Sequence, residues 1–189
     1  MKHRLAAITG ALLLAASVAA SGATAWDTDA ARSQLGFTAR LAGGEFDGRF
    51  ARYAPAIAFD PQDLGGSRFE VTIETASAAT GEADRDDALR GPDFFATGRW
   101  PQARFVAESF VAVGPGSYEA RGRLTLRDVT RDVVVPFRFE TDASGRTARL
   151  TGTARIRRLD FGVGQGDWRS TEWLDDEVGI RFELVLRRR

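Results

Sequence analysis

The chain has 189 residues, with 26 basic and 26 acidic side chains, a single His and no Cys. So even a balance speaks against nucleic-acid binding, which calls for a strongly basic face or domain. Without Cys no disulfide can staple the fold, so packing alone must hold a domain of this length.

Residues Met1–Ala25 read as a targeting segment. Lys2, His3 and Arg4 form a basic start, Leu5 to Ala20 an apolar stretch, and Ala23-Thr24-Ala25 a small-residue cleavage site, with cleavage after Ala20 as the alternative. The uninterrupted apolar core is only about half of the roughly 20 residues that a membrane-spanning helix needs. No Cys ends the segment, so a lipid anchor is not expected. Export to the periplasm through a cleaved signal peptide follows, with residues 26–189 as one mature domain. Removing 25 residues leaves 164 of the 189 and a net charge of about −2, since Lys2 and Arg4 go and all 26 acids stay. It also removes the only His, Lys and Met. A Ser-His-Asp triad, a Cys nucleophile, a Schiff-base lysine, a His- or Cys-ligated metal and the usual haem ligands are then unavailable. No enzyme activity, metal or cofactor is expected.

Alternation of apolar and polar residues predicts strands along the rest. Leu35, Phe37, Ala39 and Leu41 share one face of Ser33–Leu41, and Phe46, Gly48 and Phe50 continue after a turn at Gly43-Gly44. Ile57 and Phe59 lead to the turn dipeptide Asp60-Pro61, and Phe69, Val71 and Ile73 mark the next strand. Glu82–Arg90 is the one helical piece, with acids early and Arg90 before Gly91-Pro92, both complementing the helix dipole. Strands resume over Ala103–Val113, Ser117–Arg127, Arg131–Glu140, Arg146–Arg157 and Val178–Leu186, with Val111 and Val113 alternating less cleanly. In the hairpin Gly122–Phe139, Leu124, Leu126, Val133, Val135, Phe137 and Phe139 face one way, and Arg123, Thr125, Arg127 and Arg138 the other. About eight or nine strands and one short helix predict an all-β fold, an antiparallel barrel able to hold one ligand.

Few polar groups carry chemistry. Glu82, Asp84, Asp86 and Asp87 resemble a calcium loop, but Leu89 stands where its glycine belongs, and a solvated helix start accounts for them. Gly162-x-Gly164-x-Gly166 lacks dinucleotide spacing and suits a tight loop at a barrel mouth. A carboxylate hydrolase would need a defined pair, and many acids are no evidence for one. Aromatics in connecting segments are more suggestive: Phe94, Phe95, Trp100, Phe161, Trp168 and Trp173 could line a pocket mouth as a group. Arg85, Arg158 and Arg169 adjoin these loops, and an arginine fork can hold a phosphate.

An ordered set of motifs spans the mature chain: Trp26-x-x-Asp29 with Ser33-x-Leu35-x-Phe37, then Phe46-x-Gly48-x-Phe50, then Asp84-Arg85-Asp86-x-x-Leu89 before Phe94-Phe95 and Trp100-Pro101. The hairpin GRLTLRDVTRDV follows, then Arg158-x-Asp160-Phe161-Gly162 and Asp176-Glu177-Val178. Together they resemble the YceI-like family. The resemblance implies an extended, lipocalin-like antiparallel β-barrel of about eight strands, holding a long-chain isoprenoid lipid of quinone or polyprenyl type in an apolar tunnel. Carried over, Phe37, Phe50, Phe94, Phe95, Trp100, Leu124, Leu126, Phe137 and Phe161 become tunnel residues, and Arg85 and Arg158 head-group contacts. Two departures, Arg32 where the family often has His and Asp128 where it has a basic or small residue, bear on head-group recognition. The loop Gly162–Trp168 resembles a branch found beside membrane cytochromes of the b561 type, which suggests a quinone and such a partner. A homodimer is also compatible. The competing reading is a protein-interaction module for a membrane electron-transfer partner, with the barrel interior filled.

Overall fold

The computed structural model describes residues 22–189, so the targeting segment up to residue 21 lies outside the described residues. The chain runs through β1 Ala25–Thr28, β2 Gln34–Leu41, β3 Gly44–Phe50, β4 Tyr53–Ala58, β5 Arg68–Glu74, β6 Ala78–Ala79, α1 Ala83–Arg90, β7 Gln102–Gly114, β8 Ser117–Leu126, β9 Val129–Thr141, β10 Thr147–Arg157 and β11 Glu177–Arg188. Every pairing is antiparallel, and eight strands close a ring in the order β1-β4-β5-β7-β8-β9-β10-β11 and back to β1. β11 achieves the closure by changing partner along its length. Leu186–Arg188 pair with β1, while Gly179–Glu183 pair with β2. From β2 the sheet continues outward to β3 and β6. The expected barrel is therefore present, with three added strands and one helix among the described residues.

Local chemistry explains two differences from simple alternation. The turn between β2 and β3 is Ala42-Gly43, both at positive φ, with Gly44 already in the strand opposite Leu41. In β7 a bulge between Ala107 and Ser109 inserts one residue and flips the faces. Phe110 thus turns inward while Val113 is 57% exposed, which is why Val111 and Val113 break the pattern. Gly122 stands opposite Ala107, where a Cβ would overlap the Val106 carbonyl oxygen and allow no such approach.

The two ends of the barrel are closed differently. At the end holding β1, Phe59 is fully buried and touches Phe69, Phe110, Tyr118, Phe137 and Phe139 at ring-centre distances of 4.9–5.8 Å. Trp26 packs on Phe139 and donates its indole N–H to the Phe59 carbonyl at 2.9 Å. Edge-to-face rings of this kind make a solid aromatic plug. The opposite end is covered by α1, the loop through Phe94-Phe95, the β8–β9 turn and the segment 158–175, which bury Leu89, Phe94, Phe95, Leu126, Phe161, Val163 and Leu174 together.

The wall is incomplete between β9 and β10. They pair from Thr141–Ala148 to Phe137–Gly152 and no further. The two-residue turn Arg127-Asp128 makes Leu126–Val129 a hydrogen-bonded rung, so Thr130, Asp132, Val134 and Pro136 direct their backbone groups toward β10. The next rung would be Pro136–Thr153. Proline has no N–H to donate, and the ladder ends there. Beyond it β9 and β10 diverge until the turn at Arg158–Phe161 packs against β9 again.

Candidate functional site

Between plug and cap lies a cavity of about 210 Å³ with no polar atom exposed on its wall. Its lining follows from period-two alternation: Leu35 and Phe37 from β2, Phe46 and Phe50 from β3, Tyr53 from β4, Val71 and Ile73 from β5, and Phe105 from β7. Leu124 and Leu126 of β8, Val133 and Val135 of β9, Ile156 of β10, and Val178, Ile180 and Phe182 of β11 complete it, with Leu89, Phe94 and Phe95 as the lid. Several of these remain half-exposed because the space they face is not filled by other side chains.

Of the nine expected tunnel residues, Phe37, Phe50, Phe94, Phe95, Leu124 and Leu126 lie on this wall. The other three do not. Phe137 has the right face but the wrong depth, since it sits in the plug against Phe59 and Tyr118. Phe161 is 2% exposed within the packed cap. Trp100 is held by two cations, with the guanidinium carbons of Arg99 and Arg127 4.4 and 4.5 Å from its ring centre.

The two expected head-group arginines stand in different settings. Arg85 lies on α1 over the Phe46 ring at 4.2 Å and makes no ion pair among the described residues; Asp86 instead accepts from the Thr80 N–H and hydroxyl at 2.7 Å each. Arg158 is 3% exposed, and its guanidinium donates to four main-chain carbonyls: Asp175 at 2.9 Å, Val163 at 3.1 Å, Ser170 at 3.3 Å and Leu174 at 2.7 Å. Burial lowers its pKa, partly countered by the charges of Asp176 and Asp175. Most of its donors are thus committed to holding the segment 163–175 in place. The glycine loop serves the same end: a Cβ on Gly164 (φ +85°) would overlap Arg158 Nη1.

Sequence reasoning missed Arg127. At φ +57° it occupies the β8–β9 turn and donates from Nη1 to the Phe94 and Gly162 carbonyls at 2.6 Å each, so one side chain joins both loops of the cap to the hairpin. Charge-assisted bonds of this kind are worth about 1.5–3 kcal/mol each and outweigh the roughly 1–2 kcal/mol cost of the left-handed backbone. Its one sequence signal is an arginine in a two-residue turn, where Asn, Asp or Gly is usual. Trp168 packs on Phe94 at 5.5 Å, whereas Trp173 is 63% exposed. Arg169 makes no ion pair among the described residues and does not line the cavity.

Residues 26–186 match the family model described as the YceI-like domain. A UPF0312 protein of Shewanella denitrificans is 30% identical over 167 residues, 86% of this chain and 87% of that protein. The crystal structure of BcnA from Burkholderia cenocepacia, at 31% identity, superposes with a TM-score of 0.80 over 84% of this chain and 99% of that one. A polyisoprenoid binding domain from Saccharophagus degradans, implicated in plant cell wall breakdown, has the same fold at 18% identity, with a TM-score of 0.71 over 88% and 99% of the two chains.

Proposed function

The chain belongs to the YceI-like domain family, and from that premise we propose that it is a non-catalytic periplasmic binding or carrier protein for a long-chain isoprenoid lipid of quinone or polyprenyl type. The observation that carries this reading is the cavity, about 210 Å³ and without a polar atom on its wall. An apolar cavity of about 150 Å³ stays dry and takes up benzene. Each methylene-sized group moved from water into such a space gains about 0.8 kcal/mol, so roughly ten carbons supply about 8 kcal/mol before the costs of binding. Branched isoprene units suit walls of Phe, Leu, Ile and Val, which offer contacts and no hydrogen bonds.

The periplasmic setting rests on the targeting segment, and a quinone ligand or a b561-type cytochrome partner on the resemblance of the loop Gly162–Trp168. A homodimer is part of the same proposal. The competing interaction module required a filled interior, and the cavity weighs against it. Extraction of the purified protein and mass spectrometry of the organic phase tests the proposal. A near-stoichiometric isoprenoid lipid is the expected result. Protein that carries none, and takes up none when offered geranylgeraniol, would refute it.

A further inference from the structure

The gap between β9 and β10 has an unusual rim. Val129, Arg131, Val133, Val135 and Phe137 share one face of β9, because β8 and β9 pair without a bulge from Leu126–Val129 to Ser117–Arg138. Val133 and Val135 line the cavity. Arg131 is therefore a cation on the apolar inner face of the barrel, paired in register with the cavity residue Leu124. In a closed wall it would be buried without a partner, which is prohibitively costly. It is exposed. The divergence of the two strands lets its side chain reach water, so the gap is open at this level.

Arg131 is also uncompensated. Among the described residues its guanidinium makes one hydrogen bond, from Nη1 to the Thr130 carbonyl at 3.5 Å, and no carboxylate lies within ion-pair distance. The acids around it are otherwise placed. Asp132 leaves β9 on the outer face opposite Arg123, while Glu177 and Asp176 pair with Arg155 and Arg157 on the far side of the gap. Across the gap Arg158 lines the cavity, and among the described residues its guanidinium is met by main-chain carbonyls and by no carboxylate in hydrogen-bonding distance. One cation, Arg158, is thus locked on the cavity wall, while Arg131, two residues from the cavity residue Val133 on the same face of β9, keeps its guanidinium uncommitted.

Resting on the lipid-binding reading above, we propose that the β9–β10 gap is the lateral opening through which the polar end of the ligand leaves the barrel, and that Arg131 binds an anionic head group there, a phosphate in preference to a neutral alcohol or quinone. A tail in the cavity brings its head to the gap, where a guanidinium can pair with two phosphate oxygens while solvent covers the rest.

Two ligands with the same tail, geranylgeraniol and geranylgeranyl monophosphate, separate the two readings when titrated calorimetrically into the mature protein at low salt. The phosphate is expected to bind at least about tenfold more tightly than the alcohol, the effect of one partly screened charge-assisted bond. Arg131→Gln should abolish that preference and leave alcohol binding unchanged, and Arg131→Lys should restore part of it. Equal binding of both ligands to the unaltered protein, or a preference that survives Arg131→Gln, would overturn the head-group assignment while the lipid reading stands. Binding of neither would refute the lipid reading itself.

Discussion

Replacing Gly164 by Ala tests whether the cap is held by the Arg158 cage. Gly162, Gly164 and Gly166 all have positive φ, at 67, 85 and 58°, so Ala at any of them carries backbone strain of about 1–2 kcal/mol. What differs is the space. A Cβ at Gly166 meets nothing closer than Asp93 Oδ2 at 3.5 Å, an ordinary contact, whereas one at Gly164 overlaps Arg158 Nη1. The guanidinium must then leave some of its four carbonyls while staying buried. A buried charge that loses its partners costs about 3–5 kcal/mol. Gly166→Ala should therefore cost about 1–2 kcal/mol, and Gly164→Ala about 3–5 kcal/mol more. In urea unfolding, at a slope near 2 kcal/mol/M, the added loss is a midpoint shift of about 2 M. The double variant Arg158→Met/Gly164→Ala should be no less stable than Arg158→Met alone beyond the strain, because the group that clashes is gone. If Gly164→Ala falls within about 1 kcal/mol of Gly166→Ala, the cage does not hold the cap.

Leu126→Trp should fill part of the cavity, lowering retained lipid per mole of protein at a stability cost of about 1–3 kcal/mol; unchanged retention in a folded variant would place the ligand elsewhere. Burial raises the pKa of Asp176, but the Leu159 N–H at 3.0 Å and Arg157 at 2.8 Å outweigh it, so the folded value lies below the ordinary one. Its stabilisation is then complete above the unfolded pKa, about 3.9, and is lost as pH falls through the folded pKa; Asp176→Asn should flatten that acid limb in pH-dependent melts. Mass spectrometry of exported protein should find the mature chain starting upstream of Thr24, because the Thr24 carbonyl accepts from Phe59 N–H at 2.8 Å and the Ala25 carbonyl from Arg189 N–H at 3.1 Å, bonds that cleavage after Ala25 would delete. Amide exchange should be fast at Thr130, Asp132 and Val134, whose N–H groups face the gap, and slow at Val133 and Val135, which bond to β8; uniform protection would mean that the gap is closed.

Alternation made the strands legible and, with them, the face of each side chain, but not its depth. Alternation puts Leu124 and Phe137 on one face, and both are on it; one lines the cavity and the other fills the plug. Depth is set by Phe59, which enters the barrel from the turn after β4, a contact that no local pattern announces. β1 was hidden for a related reason. It is four residues long, and its partner Arg188 is almost the last residue of the chain. The fork of Arg158 is visible in the sequence, yet its partners are backbone carbonyls from 163 to 175, which residue types do not encode. Arg131 reads as one polar letter at the start of an alternating run. Period two already puts this letter on the face of Val133 and Val135; what the sequence does not carry is that β10 turns away there and leaves it exposed.

The placement of charge bears on how a ligand could exchange. The plug end offers no path, since opening it would break the aromatic cluster around Phe59 and the β1 closure together. The cap end is tied by Arg127 to Phe94 and Gly162, and by Arg158 to four carbonyls of the last loop, so lifting it would strand two buried or half-buried cations. The wall between β9 and β10 carries no such cost. Its paired ladder already ends at Phe137–Gly152, and Val134 on its rim is 48% exposed. Movement of an isoprenoid tail past Val133, Val135 and Ile156 would expose apolar surface only while the tail is absent, and both strands would keep their other partners in β8 and β11. Of the three boundaries of the cavity, the side wall is the one with no strand pairing to break beyond Gly152 and no buried cation to strand.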